Sequence, residues 1–422
     1  MQASSITTAS VIGLGYIGLP TAAMFASRKI KVIGVDVNQH AVDTINQGKI
    51  HIVEPELDMI VHAAVTQGYL RATTKPEPAD VFLIAVPTPF MGDHSPDLTY
   101  VKAAVESIAP VLKKGDIVIL ESTSPVGTTE KMLAWLTIAR PDLRLPVDNA
   151  VDVDINIAYC PERVLPGHVV RELVENDRII GGLSAACSQK AADVYRIFVK
   201  GKLLISNART AEMCKLTENA FRDVNIAFAN ELSLICDKLD INPWELIKLA
   251  NHHPRVNVLQ PGCGVGGHCI AVDPWFIVDK TPDEARIIRT AREVNDHKPT
   301  WVLNKIHTAV AALTTTGIEE STIKVAILGL AFKPNIDDLR ESPALHIAKQ
   351  FAETTQVQLL LVEPNIKILP DVLADHKLVL LSDAIAQADV VVFLVNHREF
   401  SGIKTLLNPH VHLVDAIGID FI

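Results

Sequence analysis

Short apolar runs alternate with helix-like stretches in two separate parts of the chain, and this alternation restricts the possible folds most. The runs cover residues 10–15, 31–36, 80–86, 116–122 and 156–160 in the first part, and 323–332, 357–364, 389–396 and 412–416 in the second. Strands that alternate with helices predict a parallel sheet with helices on both faces. The sequence therefore predicts an α/β protein with two Rossmann-like, doubly wound parallel-sheet domains.

The region between these two parts has a different periodicity. Residues 210–239 contain neither Gly nor Pro, which predicts one long helix in a central helical region that joins the two sheet domains. Helical stretches at 243–251 and 283–314 flank a loop at 254–274 that is rich in Gly and Pro. A chain of 422 residues is long enough for two or three domains. We predict three domains, over residues 1–207, 208–318 and 319–422.

The composition argues against several functional classes. The formal net charge is -10 and no dense Lys/Arg run is present, so nucleic acid and anionic lipid are not expected partners. The first ten residues are polar and no apolar run is long enough to cross a bilayer, which predicts a cytoplasmic protein without a membrane span. The six cysteines are expected to be reduced thiols.

A glycine-rich loop follows the first predicted strand. Gly13, Gly15 and Gly18 have the spacing G-x-G-x-x-G at the start of a helical run, and Asp36 ends the next strand. Glycines at these positions permit a tight turn, close approach of a pyrophosphate and close helix packing, while a carboxylate at the second strand holds ribose hydroxyls. This pattern predicts a dinucleotide site, and because Asp36 would repel a 2′-phosphate, NAD is the expected cofactor.

Two more loops follow predicted strands, at residues 86–90 and 122–129. Ligands of open parallel sheets bind at the carboxyl ends of strands, where these loops should lie. The second loop offers Thr123, Thr128 and Thr129 near a helix start. These hydroxyls could contact a dinucleotide or cap the helix, and the sequence alone leaves both possibilities open.

The long predicted helix carries a polar stripe. Lys215, Asn219 and Arg222 have the spacing i, i+4 and i+7, so they project from one face. Such a stripe is usually solvated, but this helix is apolar nearly all round further along. A buried cation needs a partner or a task, and a buried lysine can serve as an acid or a base.

The loop at residues 260–275, here called the cysteine loop, combines glycines with Cys269 and Asp273. A thiol in a setting that favours the thiolate is a strong nucleophile, and glycines let a substrate approach the backbone. Cys269 is therefore the predicted nucleophile. Cys263 lies in the same loop, but the absence of C-x-x-C spacing and of a matching His/Cys set argues against a metal site.

Several sequence blocks together resemble the UDP-glucose/GDP-mannose dehydrogenase family. They are Gly13–Pro20, Ser122–Thr129, Cys160–Gly167, Ala211–Leu232, His253–Asn257, Gly264–Trp275 and Phe332–Ala344. The resemblance implies an N-terminal NAD domain, a central helical dimerisation region and a C-terminal UDP-sugar-binding domain, and hence a homodimer with a UDP-sugar substrate. The amino-acid sequences of His253–Asn257 and of the cysteine loop resemble those of family members that oxidise UDP-N-acetylmannosamine for bacterial surface polysaccharides.

The resemblance also implies roles for individual residues. Cys269 matches the family nucleophile, and Lys215 matches the family acid/base with Asn219 beside it. The residues matched to sugar-nucleotide contacts are Arg163, Val164, Lys215, Asn219, Arg222, His253, Arg255, Gly266 and Lys333. The residues matched to NAD contacts are Tyr16, Ile17, Asp36, Thr88, Thr129 and Arg340, in addition to the three glycines.

Oxidation of a primary alcohol to an acid removes two hydrides, and a cysteine can hold the intermediate aldehyde covalently. We expect Lys215 and Asp273 to assist the first deprotonation, and Lys215 and Asn219 to stabilise the oxyanion that forms on Cys269. Glu162 is the candidate that orients or activates water, although a surface carboxylate in a turn is its simpler interpretation.

Two alternative functions share the same fold. One is a simple alcohol or hydroxyacid dehydrogenase that performs a single oxidation, with Cys269 merely structural. The other is a catalytically silent regulator that binds NAD or a nucleotide. The joint presence of Lys215, Asn219, Cys269 and Asp273 argues against both.

Overall fold

The computed structural model describes residues 6–52, 54–147, 152–165, 167–267 and 269–419. The chain forms two compact units, one up to Glu218 and one from Asn219 onward. The boundary falls within a 31-residue helix, which confirms the long central helix predicted from the sequence.

The N-terminal unit contains an eight-stranded sheet with the order β3-β2-β1-β4-β5-β6-β7-β8. The strands are β1 Thr8–Ile12, β2 Lys31–Val35, β3 Leu70–Thr73, β4 Val81–Ile84, β5 Ile117–Leu120, β6 Asn156–Tyr159, β7 Arg178–Gly182 and β8 Leu203–Asn207. The helices are α1 Gly18–Ser27, α2 Gln39–Asn46, α3 Leu57–Thr66, α4 Thr99–Ile108, α5 Thr128–Ala139, α6 Val169–Glu175 and α7 Ala185–Tyr195, followed by the long helix α8 Ala208–Lys238.

Helices cover both faces of this sheet because its central strands are apolar throughout. Successive residues of a strand point to opposite faces. Val11 accordingly packs in one hydrophobic cluster with Phe25 of α1, whereas Ile12 packs in another with Val105 of α4 and Leu136 of α5. The doubly wound architecture predicted from the sequence is confirmed.

Three strands of this sheet were not identified in the sequence. The edge strands β3 and β8 expose part of their side chains, so they lack a continuous apolar run. The strand β7 ends in two glycines and pairs antiparallel with β6, whereas the other neighbouring strands pair in parallel. This local reversal departs from a purely parallel sheet.

The C-terminal unit contains a four-stranded parallel sheet with the order β10-β9-β11-β12. Its strands are β9 Lys324–Leu328, β10 Gln358–Val362, β11 Val390–Phe393 and β12 His412–Asp415. Its helices, after the second part of α8, are α9 Pro243–Ala250, α10 Asp273–Lys280, α11 Arg286–Thr315, α12 Pro343–Thr354 and α13 Leu381–Gln387. All four strands match predicted apolar runs.

The helix α10 begins inside the segment that the sequence predicted to be a loop. Asp273 is its first residue, and Pro274 lies in its first turn. Proline is favourable there because its fixed φ suits a helix start and its missing N–H has no partner in the helix. Among the described helices, none is long and apolar enough to span a membrane.

Candidate functional site

The glycine loop lies at the point of the large sheet where the strand order reverses. The strand β1 is flanked by β2 and β4, so the loops after β1 and β4 meet at the position where such sheets bind ligands. Gly13 has a φ of +90°, and a Cβ there would lie 2.5 Å from the carbonyl oxygen of Ala85. A Cβ on Gly18 would lie 1.8 Å from the carbonyl oxygen of Gly13. Both positions therefore require glycine.

Gly15 differs from the other two glycines. A Cβ added there would have no described heavy atom within 4 Å, so the side-chain position opens onto free space at the sheet's switch point. This is the space that a pyrophosphate needs at the N-terminus of α1. Tyr16 is 38% exposed beside this space, and Ile17 is half-buried.

Asp36 lies directly after β2 and is fixed by the glycine loop. Its Oδ2 accepts the backbone N–H of Leu14 at 2.8 Å, and its Oδ1 accepts that of Asn38 at 2.9 Å. The carboxylate is half-buried and remains accessible at the carboxyl edge of the sheet. The loop and the predicted ribose-binding carboxylate thus form one rigid unit.

In the loops at residues 86–90 and 122–129, the hydroxyls of Thr88 and Thr129 form hydrogen bonds within the protein. The hydroxyl of Thr88 donates to the carbonyl oxygen of Thr123. Thr129 is fully buried, and its backbone N–H and hydroxyl donate to Glu212 at 2.8 and 2.7 Å. Glu212 also accepts the backbone N–H of Gly127 at 2.7 Å and so holds the start of α5. Glu212 was not identified from the sequence, although it lies three residues before Lys215 on α8.

Glu162 lies in the segment that follows β6, and the pKa of its carboxyl departs from the ordinary value. Burial raises its pKa to about 7, against the positive charges of Lys215 and Arg178. The carboxyl accepts the backbone N–H of Val164. A carboxyl group with a pKa near neutrality can act as a general base or acid.

The guanidinium of Arg163 is paired within the N-terminal unit. It contacts both carboxylate oxygens of Glu218, at 3.1 and 2.7 Å, and donates to the carbonyl oxygen of Asp177 at 3.1 Å. Val164, predicted with Arg163 as a substrate contact, is half-buried. Lys215 is buried on α8 with 8% exposure. The positive charge of Lys215 opposes the rise in the pKa of Glu162.

In the C-terminal unit, Asn219 is joined to the start of α10. Its Nδ2 donates to Oδ2 of Asp273 at 2.5 Å, and both side chains are buried. The backbone N–H of Asp273 donates to the carbonyl oxygen of Cys269 at 2.9 Å, so the two residues form a tight turn. Cys269 itself is exposed. The turn therefore presents a thiol to solvent beside a buried amide–carboxylate pair.

The glycines of the cysteine loop allow close contact with the loop that follows β9. A Cβ on Gly266 would lie 2.3 Å from the carbonyl oxygen of Glu341 and 3.0 Å from Cβ of Phe332. Lys333, the predicted substrate contact, is exposed next to Phe332. Two sequence blocks that lie far apart in the chain are thus in contact within this unit.

The remaining predicted cations are exposed. Arg222, His253 and Arg255 lie on the surface, and Nδ1 of His253 accepts the backbone N–H of Arg255 at 3.3 Å. Arg340, predicted near the cofactor, forms a two-pronged ion pair with Asp338 at 2.9 and 2.6 Å. Asp338 was not identified from the sequence.

A buried polar network supports the base of the cysteine loop. The carboxylate of Asp223 accepts hydrogen bonds from Arg292 at 2.7 Å and from Asn295 at 2.8 Å. The side chain of Asn230 donates to Asn295 at 2.8 Å. Asn230 in turn accepts the backbone N–H of Gly262, in the cysteine loop, at 2.9 Å. All four side chains are buried. These four residues were not identified from the sequence, although Asp223 continues the helical spacing of Lys215 and Asn219 by one more turn.

The two cysteines of the loop have opposite environments. Cys263 is buried in the hydrophobic core, its Sγ lies 3.4 Å from the carbonyl oxygen of Leu394, and burial raises its pKa to about 12. Burial also lowers the pKa of nearby Lys298 to about 7. With a pKa of about 12, the Cys263 thiol stays protonated and is a poor nucleophile at neutral pH. Cys269 alone of this pair is accessible to a substrate.

Three family models match consecutive parts of the chain. The NAD-binding domain of the UDP-glucose/GDP-mannose dehydrogenase family matches residues 7–199, the central domain matches 209–297 and the UDP-binding domain matches 326–419. The chain belongs to the UDP-glucose/GDP-mannose dehydrogenase family. The family uses NAD, so the cofactor prediction is confirmed.

Named members of the UDP-glucose/GDP-mannose dehydrogenase family are similar over nearly the whole chain. A UDP-N-acetyl-D-mannosamine dehydrogenase of Escherichia coli (strain K12) is 62% identical, covering 98% of this chain and 99% of the relative. An NDP-N-acetyl-D-galactosaminuronic acid dehydrogenase of Ralstonia nicotianae is also 62% identical, covering 94% and 92%. The solved UDP-N-acetyl-mannosamine dehydrogenase of S. aureus has a TM-score of 0.85, with 41% identity and coverage of 98% and 95%. The chain is therefore an NAD-dependent oxidoreductase that acts on nucleotide sugars.

Proposed function

We propose that this enzyme oxidises UDP-N-acetyl-D-mannosamine at C6 to UDP-N-acetyl-D-mannosaminuronate, a four-electron reaction. The observation that carries the proposal is the exposed Cys269 in a turn that ends at the buried Asn219–Asp273 pair. The similarity to the E. coli relative over 98% of the chain supports this sugar.

The residues around Gly15 fit NAD. The free space at Gly15 can take the pyrophosphate, and the carboxylate of Asp36, fixed by Leu14, can take the ribose hydroxyls. When bound, NAD would accept one hydride, which carries two electrons, in each oxidation. Tyr16, Ile17, Thr88, Thr129 and Arg340 are further proposed contacts of the cofactor.

In the first oxidation, the C6 hydroxyl loses its proton as the carbon is oxidised to an aldehyde. We assign assistance in this proton transfer to Lys215 and Asp273. Lys215 is buried, as expected of a lysine that meets a substrate rather than bulk water. Asp273 lies on α10, where Asn219 fixes its carboxylate.

In the second oxidation, Sγ of Cys269 bonds to the aldehyde carbon and forms a thiohemiacetal. Loss of a second hydride from that carbon gives a thioester. Lys215 and Asn219, one turn apart on α8, are proposed to stabilise the negative oxygen before the hydride leaves. Covalent attachment keeps the reactive aldehyde on the enzyme between the two oxidations.

Water then attacks the thioester carbon, the C–S bond breaks, and Cys269 regains its thiol form. Glu162 is the proposed group that orients or deprotonates this water. A pKa of about 7 supports the role because a large fraction of the carboxyl is ionised at neutral pH.

Substrate contacts are proposed for Arg163, Val164, Arg222, His253, Arg255, Gly266 and Lys333, as well as for Lys215 and Asn219. The family models over residues 7–199, 209–297 and 326–419 support the division into an NAD-binding domain at 1–207, a central region at 208–318 and a UDP-sugar-binding domain at 319–422. We further propose that the enzyme acts in the cytoplasm and that its product serves bacterial surface polysaccharide synthesis, such as that of enterobacterial common antigen.

We also propose a homodimer. Phe221, Phe228 and Ile235 repeat every seven residues on α8 and are 68%, 52% and 47% exposed. An exposed apolar stripe with this period favours packing against a second helix. Arg255 is then proposed to serve the site of the neighbouring subunit. Analytical ultracentrifugation tests this assembly, and a fully active monomer at assay concentration contradicts it.

A UDP-sugar panel tests the proposed reaction. UDP-N-acetylmannosamine should give the highest kcat/KM and two equivalents of NADH per sugar, whereas one equivalent indicates a single oxidation and none indicates a silent nucleotide-binding protein. UDP-N-acetylgalactosamine belongs in the panel because the Ralstonia relative is equally identical. Faster turnover of that sugar, UDP-glucose or GDP-mannose rejects the proposed substrate.

A further inference from the structure

The loop that carries Lys333 is attached to a buried acid at the end of β10. Glu363 is 4% exposed, and its Oε2 accepts the backbone N–H groups of Leu330 and Ala331 at 2.8 and 3.0 Å. Although burial opposes ionisation, hydrogen bonds, foremost that from His397, lower the pKa of Glu363 to about 2. This carboxylate is therefore a fixed acceptor beneath the start of the loop.

His397 connects the same carboxylate to the middle of the loop. It is fully buried, its Nδ1 lies 3.0 Å from the backbone N–H of Asn335, and its Nε2 lies 2.9 Å from Oε2 of Glu363. A backbone N–H can only donate, so Nδ1 accepts and carries no proton. Nε2 therefore carries the proton and donates to the carboxylate. Both ring nitrogens are used, in one defined tautomer.

Asn335 has a backbone conformation that needs support. Its φ is +61°, in the left-handed region that non-glycine residues rarely adopt. Its Oδ1 accepts the backbone N–H of Arg398 at 3.0 Å, so residues 397 and 398 hold Asn335 by two separate bonds. Lys333 precedes Asn335 by two residues, and its position in space depends on this turn.

We propose that His397 is a positioning residue for sugar-nucleotide binding, which holds the Lys333 turn in its binding conformation through Asn335. The inference rests on the proposed role of Lys333 as a substrate contact. An ordinary buried histidine would stabilise the core equally in the free and bound enzyme. Here the ring is bonded to the backbone of an exposed turn, so its loss should act mainly on the fraction of enzyme ready to bind.

Two substitutions separate the functions of the two ring nitrogens. His397→Gln places an amide near Nε2 and retains the donor to Glu363, but it removes the acceptor for Asn335. His397→Asn places an oxygen near Nδ1 and retains that acceptor, while Glu363 keeps its backbone donors. Since apparent affinity falls with the fraction of competent enzyme, His397→Gln should raise the KM for the UDP-sugar about tenfold, with kcat within about twofold.

His397→Asn should restore KM to within about threefold of the unchanged enzyme because it keeps the bond that holds the turn. The KM for NAD should stay constant in both variants. His346→Gln, on the exposed surface of α12, is the matched control and should change neither constant. Isothermal titration with UDP alone should show the same order of affinities as KM.

Lys333→Ala distinguishes failure of this inference from failure of the proposed substrate role. If Lys333→Ala leaves KM unchanged, the role of Lys333 is wrong. If it raises KM but His397→Gln does not, the positioning inference is overturned. Should His397→Gln fold poorly, hydrogen exchange at the backbone N–H of Asn335 in the unchanged enzyme replaces that variant, because this N–H is the group that donates to His397. Exchange as fast as that of an unprotected amide would show that His397 does not hold the turn, and it would overturn the inference.

Discussion

The glycine loop and the cysteine loop are both rich in glycine, yet different interactions hold them. In the glycine loop, Gly13 and Gly18 contact each other and Asp36 binds Leu14, so these contacts lie within one strand–loop–strand segment, and Ala85 after β4 is the one distant neighbour described above. The cysteine loop depends on residues far away in the chain. Its Gly262 binds Asn230 of α8, and its Gly266 packs against the segment after β9.

This difference shows how each loop responds to substitution. A local turn fails when one of its own residues changes, and a sequence motif can identify it. A loop supported from elsewhere can fail through residues outside the motif, such as Asn230 and Asn295.

Cys269→Ser should have the largest effect. Serine retains the shape but lacks a thiolate and leaves reluctantly from an ester, so formation of the acid should fall by about a thousandfold or more while the protein remains folded. Mass spectrometry of the acid product measures the loss. Cys263→Ser is the matched control in the same loop, and turnover should stay within about twofold because that thiol is buried in the core. A dead Cys263→Ser variant, or full acid production by Cys269→Ser, would falsify the nucleophile assignment.

Substitutions of two neighbouring glycines should separate folding from cofactor binding. Gly13→Ala places a methyl group 2.5 Å from a carbonyl oxygen at a φ of +90°, and we expect a loss of about 2–4 kcal/mol in the free energy of unfolding. Gly15→Ala has free space and should change stability by less than about 0.5 kcal/mol, but it should raise the KM for NAD about tenfold. Urea unfolding and steady-state kinetics measure the two effects. Equal stability losses contradict the assignment of the two glycines.

Asn230→Ala tests whether distant residues hold the cysteine loop. The substitution leaves the buried side chain of Asn295 and the N–H of Gly262 without their partner, which should cost about 1–3 kcal/mol and lower kcat. Asn225→Ala is the control on the same helix, since that amide donates to the carbonyl oxygen of Phe221 one turn earlier and to no other group in the described part of the chain. Equal effects of the two substitutions on kcat would show that the network does not support the loop.

The pH dependence of Glu162 should be the smallest effect. If Glu162 acts as a base, acid formation should increase as pH rises through about 7, and Glu162→Gln should lose this increase. The raised pKa means that the folded protein favours the neutral carboxyl. Ionisation of Glu162 therefore lowers the free energy of unfolding as pH rises from about 4.5 to about 7, and has no such effect below pH 4.5. Glu162→Gln should therefore melt higher than the unchanged protein at pH 8 but not at pH 4. A pH profile that is identical in both proteins removes Glu162 from the hydrolysis step.

Several parts of the structure were predictable because their causes are local. The apolar runs that became β1, β2, β4 to β6, β9 and β11 are largely buried strands, and the partly exposed strands β10 and β12 also carry apolar runs. The Gly-free and Pro-free segment is helix α8. The edge strands β3 and β8 were not predictable in this way because polar residues leave each with only a short apolar run. The start of α10 inside a predicted loop has a similar reason, since Gly and Pro dominate the preceding residues.

The residues of the candidate site also divide into those identified from a local sequence pattern and those whose contacts lie far away in the chain. The spacing of Gly13, Gly15, Gly18 and Asp36 identified the nucleotide loop, and the residue type and its setting singled out Cys269. The partners Glu212, Arg292 and His397 were not found because each acts on a residue more than 60 positions away. Single residues at such separations leave no periodic signal in one sequence.

The sequence by itself determined the two sheet domains, the long helix and the position of the nucleotide loop, because backbone sterics and the burial of apolar runs act between near neighbours in the chain. Only the tertiary structure decided which cysteine is accessible, how the carboxyl of Glu162 acquires a pKa of about 7, and how His397 holds the turn beside Lys333. The physical reason is that burial and hydrogen bonding depend on which atoms surround a group after folding, and those atoms come from distant parts of the chain.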